Sequence, residues 1–173
     1  MRKRGSSIGL RIGIVVLLAA TLCAETIDRV LAVVGGQIIT LSDVNAARDL
    51  GLIAVATGAE PIRSVLLQLI DRELMLAEVD RYAPPEPTPD AIDRELAVVR
   101  ARFASPQDYA AVLERNGVDE RHVRELIRQT LRIDAYQEQR FSGADARRAA
   151  LIEEWLAGLR RRGDIVDIYA TTR

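Results

Sequence analysis

The sequence predicts a mainly α-helical domain with a small β-sheet, built from an N-terminal hairpin and a C-terminal strand. Three observations support this fold class. The pair Gly35-Gly36 separates two short β-branched runs, which is the pattern of a hairpin. Apolar residues then recur with helical spacing over most of the chain. Near the end, the segment DIVDIY at 164–169 alternates apolar and polar residues like a strand.

Residues 1–24 have the features of a secretory signal peptide. Basic residues precede the apolar run at 12–22, which is too short to span a bilayer comfortably, and Ala24 suits the position before signal peptidase cleavage. Two alternatives are lipid attachment at Cys23, which Leu22 before it disfavours, and an uncleaved membrane anchor. The sequence therefore predicts export, with a periplasmic domain over 25–173 and no stable membrane span after cleavage.

The composition of the expected mature domain argues against several classes of protein. Cys23 is the only cysteine of the 173 residues, so cleavage would remove disulfides and thiolate chemistry together. Cleavage would also remove four of the 24 basic residues and none of the 25 acidic ones, leaving a net charge of −5. An acidic domain of this kind does not carry the basic footprint of a nucleic-acid binder.

The glycine pair is interpreted as a turn and not as a phosphate-binding loop. A dinucleotide fingerprint needs further glycines at fixed spacing and a helix directly after them, and a P-loop needs a lysine. Here the β-branched run QIITL at 37–41 follows the pair, and the sole lysine is Lys3. Two adjacent glycines suit the positive φ angles of a two-residue hairpin turn.

Five or six helices are predicted after the hairpin. Capping residues or first-turn prolines mark their starts at Ser42-Asp43, Pro61, Thr88-Pro89, Ser105 and Asp119, and stop signals stand at Gly51, Asn116-Gly117 and Gly163. The expected inward faces of the long helices comprise Ile62, Val65, Leu66, Leu69, Ile70, Leu74 and Ala77; Val123, Leu126, Ile127, Thr130 and Leu131; and Ile152, Trp155, Leu156 and Leu159. We expect the strand at 165–169 to pair with the hairpin, because an isolated hairpin is marginal in water.

Candidate catalytic and metal-binding residues were weighed and none is assigned. His122 is the only histidine, and its charged neighbours favour a solvated helix face over a general base or a metal ligand. The acidic pairs Asp71/Glu73 and Glu153/Glu154 do not share a helix face, so they are interpreted as solubilising charges. The sequence therefore predicts no enzyme activity, no cofactor and no metal site.

Two further features have a structural and a binding interpretation. Trp155 could contact a client peptide, but its helical spacing favours a packing role. The proline-rich segment at 83–90 could dock a proline-recognising domain, and a stiff connection between helices is favoured.

The order of elements resembles the N-terminal core domain of SurA-type periplasmic chaperones. The likeness begins with IDRVLAVVGGQIITLSDV at 27–44, and it continues through LLQLIDRELMLAEVDRY at 66–82 and SPQDYAAVLERNGVDERHVRELIRQTLRIDAY at 105–136. It includes WLAGLRRRGDIVDIY at 155–169 and so covers most of 27–169. The opening hairpin favours SurA over the similarly helical C-terminal region of trigger factor.

The resemblance implies a helical cradle that holds unfolded exported or outer-membrane chains without nucleotide. One departure is clear. Family members usually carry parvulin prolyl isomerase domains before the terminal helix, whereas this chain has only FSGADARRAA at 141–150 there. The expected partners are therefore unfolded or extended polypeptides, with client-binding residues and oligomeric state unassigned. The alternative is a non-catalytic assembly partner that binds one specific folded envelope protein or itself.

Overall fold

The computed structural model describes residues 28–54, 60–143 and 146–171. Within these ranges the strands are β1 (Val30–Val34), β2 (Gln37–Thr40) and β3 (Ile165–Asp167). The helices are α1 (Leu41–Asp49), α2 (Pro61–Tyr82), α3 (Pro89–Arg100), α4 (Pro106–Arg115), α5 (Glu120–Arg140), α6 (Arg148–Arg162) and the short α7 (Ile168–Thr171). The predicted fold class is confirmed. The predicted signal peptide at 1–24 lies outside the described residues.

The sheet joins the two ends of the described chain. Its strand order is β2-β1-β3, and both pairs are antiparallel, with Val33 opposite Ile38 on one side and Val166 on the other. Gly35 and Gly36 have φ angles of +56° and +87°, so they form the predicted two-residue turn. The Gly35 N–H also donates to the Asp164 carbonyl oxygen at 2.9 Å, which extends the pairing with β3.

Helix α1 begins slightly earlier than the sequence predicted. Thr40, and not Ser42, is the N-cap: its Oγ1 accepts from the Asp43 N–H, while its own N–H donates to Asp43 Oδ2 at 2.8 Å. This capping box pairs two amides that the helix itself leaves without partners. The Ser42 hydroxyl instead bonds the carboxylate of Asp28.

The last strand is shorter than predicted. Pairing with β1 stops at Asp167, and residues 168–171 form a helical turn instead of continuing to Tyr169 as a strand. The cause is local, because Asp167 Oδ1 accepts from the Ala170 N–H at 3.0 Å. An Asp side chain that satisfies the amide three residues on favours a helix start over an extended chain.

The buried side chains form two core clusters. The larger one joins the sheet to α2, α6 and the end of α5, and the second joins the end of α1 to α3, α4 and the start of α5. Helix α1 contributes to both: Val44 and Ala47 belong to the first cluster, and Ala46 and Leu50 to the second. Since α5 also spans both, the two clusters are tied together by two helices.

Helix α2 ends on a residue in a left-handed conformation. Ala83 has φ +41° and ψ +63°, and its N–H donates to the Val79 carbonyl oxygen at 2.9 Å. This backbone conformation costs a residue with a Cβ about 1–2 kcal/mol, and glycine adopts it freely. We expect Ala83→Gly to raise the free energy of unfolding by up to about 1 kcal/mol, the gain being reduced by the greater entropy of glycine in the unfolded chain.

The matched control for this prediction is Ala101→Gly at the end of α3. Ala101 is also an exposed C-cap residue, but its φ of −66° is right-handed. Glycine there should lower the free energy of unfolding by about 0.5–1 kcal/mol. Urea unfolding followed by circular dichroism measures both changes, and a loss of stability in Ala83→Gly would contradict the prediction.

Candidate functional site

An open cleft of about 720 Å³ lies between α2 and α5. Strand β2, helix α1 and helix α3 form its borders, and one residue of α6, Leu156, contributes to its wall. The cleft lies at the junction of the two core clusters, since residues of both face it. Its apolar lining consists of Ile38, Ile39, Ala47, Leu52, Ile53, Leu69, Met75, Val99, Leu126, Ile127, Leu131, Ile133 and Leu156.

Several side chains of α5 line the cleft and remain partly or fully exposed. The sequence placed Val123, Leu126, Ile127, Thr130 and Leu131 together on an inward face. In the structure Val123 and Ile127 are buried, whereas Leu126 and Leu131 are half-buried in the cleft wall and Thr130 is exposed there. The prediction was therefore wrong for Leu126 and Thr130, which border the open cleft, whereas Leu131 packs against the second core cluster.

Strand β2 meets the cleft along its free edge. Three consecutive residues, Gln37, Ile38 and Ile39, border the opening. Side chains alternate between the two faces of a strand, so a cavity bordered by consecutive residues lies at an edge and not over one face. The opposite edge of β2 pairs with β1. The cleft therefore reaches the edge that the sheet leaves unpaired.

Arg72 connects the two long walls. Its guanidinium donates from Nη2 to the carbonyl oxygen of Leu126 at 2.7 Å, which links the middle of α2 to α5. Burial lowers the pKa of Arg72 from its ordinary value, although the carboxylates of Glu73 and Glu125 act in the opposite direction. The bond satisfies a desolvated cation and also sets the separation of the two helices.

Carboxylates outnumber cations along the cleft. Six acidic residues and two arginines line it: Asp43, Asp71, Glu73, Glu95, Glu125 and Asp134 against Arg72 and Arg102. Asp71 is paired with Arg160 at 2.6 Å, and Glu125 with Arg128 at 2.7 Å. Glu73, Glu95 and Asp134 form no hydrogen bond or ion pair with any other residue that the structure describes.

The environment of two of these carboxyl groups disfavours their charge. Burial raises the pKa of Glu73, and the nearby Asp43 and Asp80 add to this effect although Arg72 opposes it. Burial also raises the pKa of Asp134, with Glu95 acting in the same direction. Arg148 acts in the opposite direction on Asp134, so Arg72 and Arg148 offset part of the negative charge of these two carboxyl groups.

The raised pKa of Glu73 makes a prediction about stability and pH. Between its ordinary and its folded pKa, the folded state binds more protons, so stability falls as pH rises through that window and stays lowered above it. We expect Glu73→Gln to stabilise the protein near neutral pH, with the gain shrinking toward about pH 4, where the unfolded carboxyl also protonates. Urea unfolding at the two pH values measures this.

The control for this prediction is Glu138→Gln on the exposed side of α5. It removes the same charge from solvent-exposed surface, where loss of one carboxylate should change stability by no more than about 0.5 kcal/mol at either pH. A Glu73→Gln variant that is less stable than the wild type at neutral pH would contradict the prediction.

The histidine and the acidic pairs that were candidates for catalysis or metal binding differ in where they lie and how exposed they are. His122 is half-buried on a helix face that borders the open cleft. Asp71 and Glu73 were interpreted as solubilising charges without a shared face, yet both are half-buried in the cleft wall, because the wide opening accepts side chains from both flanks of α2. Glu153 and Glu154 are exposed as predicted. No sequence pattern pointed to the cleft, since it depends on how far α2 and α5 stand apart.

Trp155 is buried, as the packing interpretation predicted, with 8% of its surface exposed. Its ring lies 5.7 Å from that of Tyr136 and 5.9 Å from that of Phe141, measured between centroids. The first contact is tilted and the second is edge-to-face, and aromatic contacts of this kind anchor a core. Trp155 does not line the cleft.

Two findings concern metal ions and membranes. In the part of the chain that the structure describes, no group of three or more histidine, cysteine, aspartate or glutamate side chains is arranged to hold a metal ion. Over the same residues, no helix combines the length and the apolar character needed to cross a bilayer.

Comparison with known proteins assigns this chain to no family. No known family profile matches the sequence, and a comparison with curated proteins also finds no match. The likeness to SurA-type core domains therefore stays a prediction, and the function has to be argued from the cleft.

Proposed function

We propose that this chain is an ATP-independent chaperone or peptide-binding domain that holds unfolded exported polypeptides, outer-membrane proteins among them. The observation that carries the proposal is the open apolar cleft between α2 and α5. A cleft of about 720 Å³ is large enough to take several side chains of an extended chain. Export and a periplasmic location form part of the proposal and rest on the features of residues 1–24.

The lining of the cleft suits clients of varied sequence. Beside its branched aliphatic residues, the wall contains one methionine and several glutamine side chains, among them Met75, Gln68, Gln129 and Gln137. Long unbranched side chains adapt to different partners, which is common at promiscuous binding surfaces. The SurA-like order of elements points to the same class of activity, and holding a client in this way uses no nucleotide.

The proposal is tested by diluting a urea-unfolded β-barrel protein into buffer with and without this protein and recording light scattering. We expect suppression of aggregation by the wild type and its loss in Leu126→Glu, which places a charge in the cleft wall. The matched control is Val98→Glu on α3. Val98 is 51% exposed and lies outside the cleft, so this variant should retain the activity.

Either of two results would contradict the proposal: wild-type protein that suppresses no aggregation, or a Leu126→Glu variant as active as Val98→Glu. Circular dichroism of both variants checks that they are folded. We also expect no rate gain in a protease-coupled proline isomerisation assay, because residues 141–150 are far too short for a parvulin domain.

A second candidate function is binding to one specific folded protein. The observation that favours it is an apolar row across the outer face of the sheet, where Ile38, Val33 and Val166 lie side by side. Ile38 is 59% exposed and Val166 53% exposed. A pull-down dominated by one stoichiometric folded partner, together with indifference to unfolded clients, would favour this function over the first.

A further inference from the structure

The free edge of β2 offers one backbone pairing site inside the cleft. Residues of an antiparallel pair alternate between bonding each other and pointing away, and the pair next to a two-residue turn, Val34 and Gln37, is a bonded one. The N–H and C=O of Ile38, the next residue, therefore point away from β1. Among the described residues, neither group has a hydrogen-bond partner.

The cleft that this edge borders is lined by more acidic than basic side chains. Glu73 on α2, Glu95 on α3 and Asp134 on α5 face the cleft from three helices and have no ion-pair partner within the described ranges. The two lining arginines are already engaged by backbone oxygens. Arg72 bonds the carbonyl of Leu126, and Arg102 bonds the carbonyls of Leu50 and Gly51. Among the described lining residues the negative charges therefore exceed the positive ones, and Arg72 offsets part of the charge of Glu73.

We propose that the cleft binds an extended polypeptide segment in which apolar residues alternate with lysine or arginine, and that this segment adds to the sheet as a strand beside β2. Its backbone would bond the free N–H and C=O of Ile38. Its apolar side chains would contact the aliphatic wall, and its basic side chains would lie near the carboxylates of Glu73, Glu95 and Asp134. The inference rests on the proposed function and specifies its substrate class.

The backbone pairing site, the apolar wall and the carboxylates each contribute little selectivity alone, but all three belong to one cleft. One backbone pairing site gives direction and register but little sequence selection. The apolar wall gives affinity for many chains. The carboxylates add selection, because a basic guest would relieve their mutual repulsion in a partly desolvated site, whereas an acidic guest would increase it.

The first test compares three labelled peptides of equal length by fluorescence anisotropy. Two have the same alternating apolar residues, with lysine at the polar positions in one and glutamate in the other. The third is the lysine peptide with N-methyl groups on two consecutive central residues, which blocks both strand edges. We expect the lysine peptide to bind about tenfold or more tightly than either of the others at low salt. Its advantage over the glutamate peptide should shrink as salt is added.

The second test changes the protein. The variant Glu73→Gln/Glu95→Gln/Asp134→Asn removes the three unpaired cleft carboxylates. Its control, Glu138→Gln/Glu153→Gln/Glu154→Gln, removes three exposed ones outside the cleft and gives the same net charge. We expect the cleft variant to lose most of the discrimination between lysine and glutamate peptides and the control to keep it. Circular dichroism confirms that both are folded.

The outcomes separate this inference from the proposed function. If the protein suppresses aggregation but binds lysine and glutamate peptides equally, or if both triple variants behave alike, charge selection is wrong and the chaperone activity stands. If the N-methylated peptide binds as well as its parent, strand addition is wrong. If no peptide binds and no aggregation is suppressed, the proposed function fails as well.

Discussion

Leu66→Ala is expected to lower the free energy of unfolding by about 3 kcal/mol, within the range of about 2–5 kcal/mol usual for buried leucines. Leu66 lies in the first half of α2 and has no exposed surface. It belongs to the larger core cluster, in which α2 packs against the sheet and α6. Truncation removes buried methyl groups and leaves a cavity that the sheet and two helices cannot close without moving.

The neighbouring residue supplies the control. Leu67 is 45% exposed on the same helix, so Leu67→Ala changes helix propensity and composition in the same way without opening a cavity. It should cost no more than about 0.5 kcal/mol. The sole tryptophan, Trp155, reports unfolding in urea by its intrinsic fluorescence. Equal stability losses in the two variants would show that α2 is not the central helix of the core.

Trp155→Ala is expected to cost about 3–4 kcal/mol, which lies within the usual range for large buried aromatic residues. The side chain joins α6 to the end of α5 through its contacts with Tyr136 and Phe141. Its indole N–H is buried without a hydrogen-bond partner in the described structure, so part of the packing gain is offset by desolvation of that group.

Trp155→Phe separates these two contributions. Phenylalanine keeps most of the ring contacts and removes the unsatisfied N–H, so we expect a loss of only about 1 kcal/mol. Since both variants lack the tryptophan, urea unfolding followed by far-ultraviolet circular dichroism is the measurement. A Trp155→Ala variant that unfolds like the wild type but loses client binding would overturn the packing role and favour the client-contact alternative.

The local signals of the chain predicted most element boundaries correctly. Thr88, Ser105 and Asp119 each cap the helix that they were expected to begin, because each side-chain oxygen accepts a hydrogen bond from the backbone N–H three residues on. Pro61 stands at the start of α2 and Gly35-Gly36 turns the hairpin, as expected. These features depend on backbone chemistry within a few residues, and such chemistry is visible in sequence.

The predicted element boundaries were wrong where several neighbouring residues could cap a helix, or where a residue contacts a group distant in the sequence. At the start of α1, Thr40, Ser42 and Asp43 could all cap a helix, and the engagement of Ser42 by Asp28 accompanies the choice of Thr40. At the end of the chain, Asp167 both pairs with Arg63 of α2 and caps a helical turn. The alternation of apolar and polar residues in DIVDIY predicted neither of these two contacts of Asp167.

Gly163 illustrates a position whose role changed when the packing was known. The sequence marked it only as a helix stop, where glycine usually supplies a left-handed φ. Its φ is −74°, which any residue can adopt. A Cβ at this position would lie 2.5 Å from Leu74 Cδ2 and 3.0 Å from the Leu159 carbonyl oxygen. Glycine is therefore needed because α6 and α2 approach each other here, and not for its backbone freedom.

By itself the sequence determined the mainly helical fold class, the hairpin in place of a phosphate loop, and the pairing of the last strand with the hairpin. It could do so because caps, turns and apolar periodicity act over short stretches of chain. Only the tertiary structure decided that an open cleft lies between α2 and α5, that the free edge of β2 borders it, and that six acidic side chains and two arginines line it. Helix separation depends on the summed packing of both core clusters and on contacts between residues far apart in sequence, such as Arg72 with the backbone of Leu126 and Arg132 with Asp80. Neither the packing nor these contacts can be predicted from any one segment of the sequence.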